Sequence, residues 1–147
     1  MKNLKAKLRR DGGFTLVEML IVVAIIAILV AVSIPVIGSA LESARDATDR
    51  ANERAAKAEA VLAYLGVADT MPNGCTAGKA STGDIYYNAV DGALTNTQPK
   101  AYGKCTDLSH LETLNTNKTG DNSKNVLKVS WDENGKVTLV WTAVATS

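Results

Sequence analysis

Polarity changes abruptly near the start of the chain. Residues 1–13 are polar and basic, and from Phe14 the sequence reads FTLVEMLIVVAIIAILVAVSIPVIG. Met19 to Val32 is apolar at all fourteen positions, and the greasy stretch from Phe14 to Ile37 covers 24 residues. At about 1.5 Å of rise per residue, a helix of that length crosses a hydrocarbon layer of roughly 30 Å. The run is apolar all round, which suits lipid better than a soluble surface. Pro35 removes a helical hydrogen bond and crowds the preceding turn, and Gly38 follows closely. Together they predict a bend or a meltable stretch over 34–38; the alternative is that Pro35 ends the membrane helix.

A second helix is expected over 39–66. Ser39-Ala40-Leu41-Glu42 has the form of a capping box. Leu41, Ala44, Ala47, Ala51, Ala55, Ala58, Leu62 and Leu65 recur at spacings of three and four, predicting a narrow buried stripe. Glu42–Arg45, Asp46–Arg50 and Glu53–Lys57 are opposite charges at helical spacing. Gly66 is the expected stop. Small residues on such a stalk permit close packing, against its own head or against neighbouring subunits.

Beyond residue 67, Gly, Asn, Thr and Asp become frequent. Asp84 to Val90 reads as a short strand, and Asp107 to Leu114 as a short helix or helical turn. Leu127, Val129 and Trp131 alternate, as do Val137, Leu139 and Trp141. A three-residue loop, Glu133-Asn134-Gly135, pairs Trp131 with Val137, Val129 with Leu139 and Leu127 with Trp141. All six then share one face, expected to pack on the helix around Ala55 to Leu65. The fold class is α+β: a long N-terminal helix packed on a small antiparallel sheet. The expected parts are a leader (1–13), a membrane helix (14–38), an amphipathic stalk (39–66) and a β-rich head (67–147).

Charge orients this arrangement. Lys2, Lys5, Lys7, Arg9 and Arg10 oppose only Asp11 before the apolar run. The positive-inside bias keeps 1–13 in the cytoplasm and exports everything after Gly38. The net charge of the whole chain is only +1, which argues against nucleic acid as a partner. One histidine and two cysteines leave little for a metal site, a catalytic triad or a cofactor. His110 is expected near the head surface. Cys75 and Cys105 lie in the exported part and are expected to form a disulfide around a loop of about thirty residues, worth roughly 3–4 kcal/mol.

Three descriptions fit the N-terminus on these grounds. A signal peptide has a shorter apolar core, although Ala31-Val32-Ser33 resembles a cleavage site. A plain membrane anchor leaves Glu18 unexplained. The third accounts for each unusual residue. Gly12, Gly13, Phe14, Thr15, Leu16, Val17 and Glu18, followed by the unbroken apolar run, resemble the N-terminus of type IV prepilins and their type II secretion relatives, over roughly Gly13 to Gly38. The resemblance implies a cut between Gly13 and Phe14 by a membrane peptidase that also N-methylates Phe14. It places Pro35 where many members carry a helix-bending proline. Both cysteines precede the final hairpin, unlike the C-terminal disulfide of many pilins.

A carboxylate within an apolar helix is costly, and no Lys, Arg or His lies between Phe14 and Gly38 to offset Glu18. Cleavage before Phe14 creates a cationic amine in the same layer, available to Glu18 of its own chain or of a neighbour. A glycine before the scissile bond lets a protease approach the backbone. The resemblance thus implies a non-enzymatic filament subunit, first a single-pass membrane protein and then part of a cell-surface polymer. Its partners would be identical or related pilins, the peptidase/methyltransferase and a membrane assembly platform. A pseudopilin of a secretion or DNA-uptake machine, or a membrane-anchored binding domain, are the alternatives. Asn117-Lys118-Thr119 has the pattern of a glycosylation sequon, and 115–125 reads as an exposed loop. Asp132 and Glu133 flank a turn and are expected to be solvated. Tyr64, Tyr86, Tyr87 and Tyr102 are expected at the core or its boundary.

Overall fold

The computed structural model describes residues 14–106, 108–111, 122 and 124–144. The leader, the sequon and the end of the expected 107–114 helix lie outside the described residues. The chain is α+β: helix α1 (Leu16–Leu65) precedes strands β1 (Ile85–Asn88), β2 (Ala93–Thr95), β3 (Asn125–Trp131) and β4 (Val137–Ala143). It divides into two compact units, with the boundary inside α1 between Ser39 and Ala40.

In the first unit, α1 passes through Pro35 and Gly38 without losing helical structure. The helix neither ends at Pro35 nor restarts at Ser39. Two serine hydroxyls bond back onto the helix: Ser33 Oγ donates to the Leu29 carbonyl at 2.7 Å, and Ser39 Oγ to the Val36 carbonyl at 3.0 Å. Ser39 is thus a mid-helix residue bonded backwards, not a cap.

In the second unit, α1 ends as its sequence predicts. Gly66 adopts φ +74°. Its amide donates to the Ala63 carbonyl and that of Val67 to Leu62, the paired bonds of a Schellman stop. The face of α1 that turns inward is not the expected one. Asp49, Glu53, Ala56, Ala60 and Ala63 are buried, whereas Leu41, Ala44, Ala47, Ala51, Ala58, Leu62 and Leu65 are exposed and Ala55 is half-buried. Each buried position lies two residues before one of the predicted stripe. Two residues are about 200° of helix, so the true core face lies opposite.

The sheet has strand order β2-β1-β3-β4, antiparallel throughout. The C-terminal hairpin has the register read from the alternation: Leu127 opposite Trp141, Val129 opposite Leu139, Trp131 opposite Val137. Gly135 takes φ +76° in the turn, and Asp132 Oδ1 accepts from the Asn134 and Lys136 amides. The turn lies against the end of α1, where Tyr64 Oη donates to the Glu133 carbonyl at 2.9 Å. β1 falls within the predicted 84–90 strand. β2 was not foreseen, because three residues carry too little alternation. Of the 107–114 prediction, the structure shows a 3-10 turn at Leu108–His110. Ile85, Tyr87, Leu94, Leu127, Val129, Trp131, Leu139 and Trp141 form one core with the three buried alanines, and Tyr64 and Tyr102 pack at its boundary.

Tyr102 binds strands together where their ladder stops. β1 and β3 pair at Ile85–Val129 and Tyr86–Lys128. At the next step, the Tyr102 hydroxyl donates to the Tyr87 carbonyl at 2.6 Å and accepts from the Leu127 amide at 3.1 Å. Burial pushes this phenol well above its ordinary pKa. Tyr102→Phe keeps the ring against Trp141 but strands both backbone groups. We expect a loss of about 2 kcal/mol in chemical unfolding of the detergent-solubilised chain.

Candidate processing and assembly site

The first functional region is the start of α1. Phe14 precedes the helix and is 79% exposed. Thr15 then begins the helix as its cap, with Glu18 three residues on, and the two bond reciprocally. The Thr15 amide and hydroxyl each donate to Glu18 Oε2 at 2.7 Å, and the Glu18 amide donates to Thr15 Oγ1 at 3.2 Å. This is a complete capping box, with the carboxylate near the positive end of the helix dipole. The sequence reading assigned Glu18 to a future amine and overlooked Thr15, although Thr-x-x-Glu was visible. Gly13 lies outside the described residues. Pro35 and Gly38 lie within α1, and nothing lies near a Cβ built on Gly38.

From Phe14 to Leu41 every residue is exposed. α1 holds a helical stretch long and apolar enough to cross a membrane, and among the described residues none of that stretch is buried. A continuous apolar surface of this extent requires a cover of lipid or protein.

The second region is the inward face of α1 below the head, where carboxylates rather than apolar side chains hold the chain. Asp49 is fully buried. It accepts from the Lys104 amide at 2.8 and 3.0 Å, the Cys105 amide at 2.9 Å and Asn122 Nδ2 at 2.7 Å. One turn-pair earlier, Glu42 Oε1 accepts from the Thr106 amide at 2.6 Å and hydroxyl at 2.8 Å. Glu53, also buried, accepts from Trp141 Nε1 at 3.1 Å. Gly103 makes this loop possible, since a Cβ there would fall 2.0 Å from the Asn122 carbonyl oxygen. The expected Glu42–Arg45 pair forms at 3.1 Å. Glu53, read as a surface partner of Lys57, instead reaches across to a tryptophan. Asn122 and Asn125 are buried, contrary to the exposed loop expected there.

No disulfide joins Cys75 to Cys105, which corrects the expected staple. The two thiols belong to segments fixed at different points on α1. Cys105 is tied by its amide to Asp49, while Gly78, three residues after Cys75, donates its amide to the Tyr64 carbonyl at 2.7 Å. Fifteen residues of helix, about 22 Å of rise, separate those anchors. Cys105 is buried in the core, and burial raises the pKa of half-exposed Cys75. Among the described residues, no cluster of His, Cys, Asp and Glu is suited to a metal.

Residues 8–34 match the family model described as the prokaryotic N-terminal methylation motif, which is found in type IV pilins and pseudopilins. The match supports a prepilin-type protein processed at its N-terminus. No curated protein and no solved structure matches the chain.

Two measurements probe the carboxylate face. Asp49→Ala leaves the buried Cys105 amide, the part-buried Lys104 amide and Asn122 Nδ2 without this acceptor, and we expect a loss of about 3 kcal/mol or more by chemical unfolding. Asn substitution restores part of it. The Thr106 amide and hydroxyl hold the Glu42 carboxyl below its ordinary pKa of 4.5. A depressed folded-state pKa stabilises at pH values above the unfolded value, and that gain is lost as pH falls through the folded value. Tryptophan fluorescence should show wild type melting above Glu42→Gln near neutral pH. Acidification from pH 4.5 down through the depressed folded value should close the gap.

Proposed function

We propose that the chain is the structural subunit of a type IV pilus-like filament. It enters the membrane as a precursor with its basic leader in the cytoplasm. A prepilin peptidase cuts between Gly13 and Phe14, and Phe14 is N-methylated. A membrane assembly platform then moves the subunit into a helical polymer of identical or related copies. The observation that carries this reading is the fully exposed apolar surface from Phe14 to Leu41, interrupted by one carboxylate at Glu18. Lipid covers that surface before assembly, and the equivalent helices of neighbours cover it afterwards.

Two further features support the reading. The new cationic amine at Phe14 would arise four residues from Glu18, in a layer where an opposite charge has no competition from water. Pairing between neighbouring copies would set an axial step between identical subunits. The stalk also carries an exposed Ala/Leu stripe from Leu41 to Leu65. Its small side chains let helices approach closely, as they do in lipid.

Glu18→Ala tests the assembly role without disturbing insertion, since it makes the helix more apolar. In cells carrying the peptidase and assembly apparatus, this variant should be cleaved and membrane-inserted like wild type. Recovery of sheared surface filaments should drop at least tenfold. Filaments at wild-type yield from Glu18→Ala would remove the pairing step.

A further inference from the structure

The second unit carries a projecting turn and, on another patch of its surface, a groove of matching character. Between β1 and β2 the chain turns through Ala89, Val90, Asp91 and Gly92. Val90 is 90% exposed in this turn, where small or polar residues are the usual choice. Asn88 holds the turn in shape. Its carbonyl accepts from the Gly92 amide at 2.9 Å, its Oδ1 accepts from the Val90 amide at 3.0 Å, and its Nδ2 donates to Asp91 Oδ2. The result is a fixed apolar knob with an exposed acid beside it. On α1, Arg54, Lys57, Ala58, Val61 and Leu62 line an open groove of about 580 Å³. Three of these side chains are apolar, and both charged ones are basic. Lys57, expected to pair with Glu53, makes no ion pair among the described residues, since Glu53 turns inward to Trp141.

We propose that this groove receives the Val90–Asp91 turn of a second copy of the chain, with Val90 against Val61 and Leu62 and Asp91 facing Lys57. The inference rests on the polymer proposed above and names a contact through which its heads join.

Three physical arguments select a second copy as the occupant. Charge is complementary: the knob brings an acid to a groove whose charges are basic, and no acid lines that groove to repel it. The turn is already fixed by its own bonds, so little conformational freedom is lost when it docks. Val90 is too exposed to sit in the groove of its own chain, so knob and groove are separate patches. A contact between unlike patches leaves each copy with one knob and one groove still to fill, and such contacts build rings or open helical filaments.

The test places a thiol on each patch with Ala58→Cys and Val90→Cys, in the full-length chain carrying Cys75→Ala, expressed with the processing and assembly apparatus. Sheared filaments are mildly oxidised and run in denaturing gels without reductant. The double variant should give a ladder of dimers, trimers and larger species that reductant collapses. Cells making the two single variants together should give dimers and nothing larger. Filaments that run as monomers would overturn the proposal. So would a double variant that stops at dimers, which marks a two-fold contact, or one that joins to a different protein. Failure of the polymer reading itself looks different: wild type would then yield no sheared filaments, and this contact falls with it.

Charge reversal gives a second readout. Lys57→Glu and Asp91→Lys should each lower filament yield about tenfold or more, because like charges then face each other. Combined, they should restore the yield to within about threefold of wild type. Such recovery cannot come from a folding defect in either single variant. Wild-type yield from both single variants, or no recovery in the combined one, would overturn the pairing of Asp91 with Lys57.

Discussion

The exposed apolar length of α1 governs the rest of the molecule. Among the described residues, 14–41 are all exposed, so this surface needs another medium. A helix satisfies all its interior backbone groups internally and is one of the two structures that hydrocarbon tolerates. The demand that remains is electrostatic. Glu18 is the only charged side chain between Phe14 and Ile37, and the capping box with Thr15 provides its bonds within the chain. Processing before Phe14 would add the counter-charge that the sequence otherwise lacks. A one-time covalent cut would thereby convert a tolerated carboxylate into half of a subunit contact.

The second half of the same helix solves a different problem by unusual means. Asp49, Glu53, Ala56, Ala60 and Ala63 turn toward the head, while Leu41, Ala44, Ala47, Ala51, Ala58, Leu62 and Leu65 turn away. Burying Asp49 is acceptable only because two backbone amides and an asparagine amide converge on it. The bonds from Glu42, Asp49 and Glu53 tie the 103–106 loop and Trp141 to the stalk, and Ala56, Ala60 and Ala63 then allow the sheet to approach closely. Polar fixation on the inner face leaves an apolar outer face. A soluble monomer would gain little from that arrangement, whereas a subunit packed among copies can use both faces.

Legibility in the sequence followed the range of the determining interaction. The membrane-length run, the Schellman stop at Gly66 and the β3–β4 register depend on neighbours within a few residues, and each was readable. Strict alternation around Glu133-Asn134-Gly135 left one register that put both tryptophans on a single face. The stalk misled because two stripes offset by two residues both satisfy three-four spacing. Choosing between them required knowing that amides at 104–106 would meet Glu42 and Asp49, partners 55 and 64 residues away. The Cys75–Cys105 staple was expected from the exported location of both cysteines, and the structure holds their segments at different points on the helix without joining them. Thr15 was missed for another reason: attention to the charge of Glu18 obscured the ordinary capping pattern that contains it.

The central claim is that the working protein begins at Phe14, with its cation beside the only acid of an apolar helix. Mass spectrometry of the N-terminal peptide from membrane-extracted native chain tests this most directly. The account predicts a peptide that starts at Phe14 and carries one added methyl group on its terminal nitrogen. A peptide that still contains Met1 to Gly13, or that begins after Ser33, would contradict it.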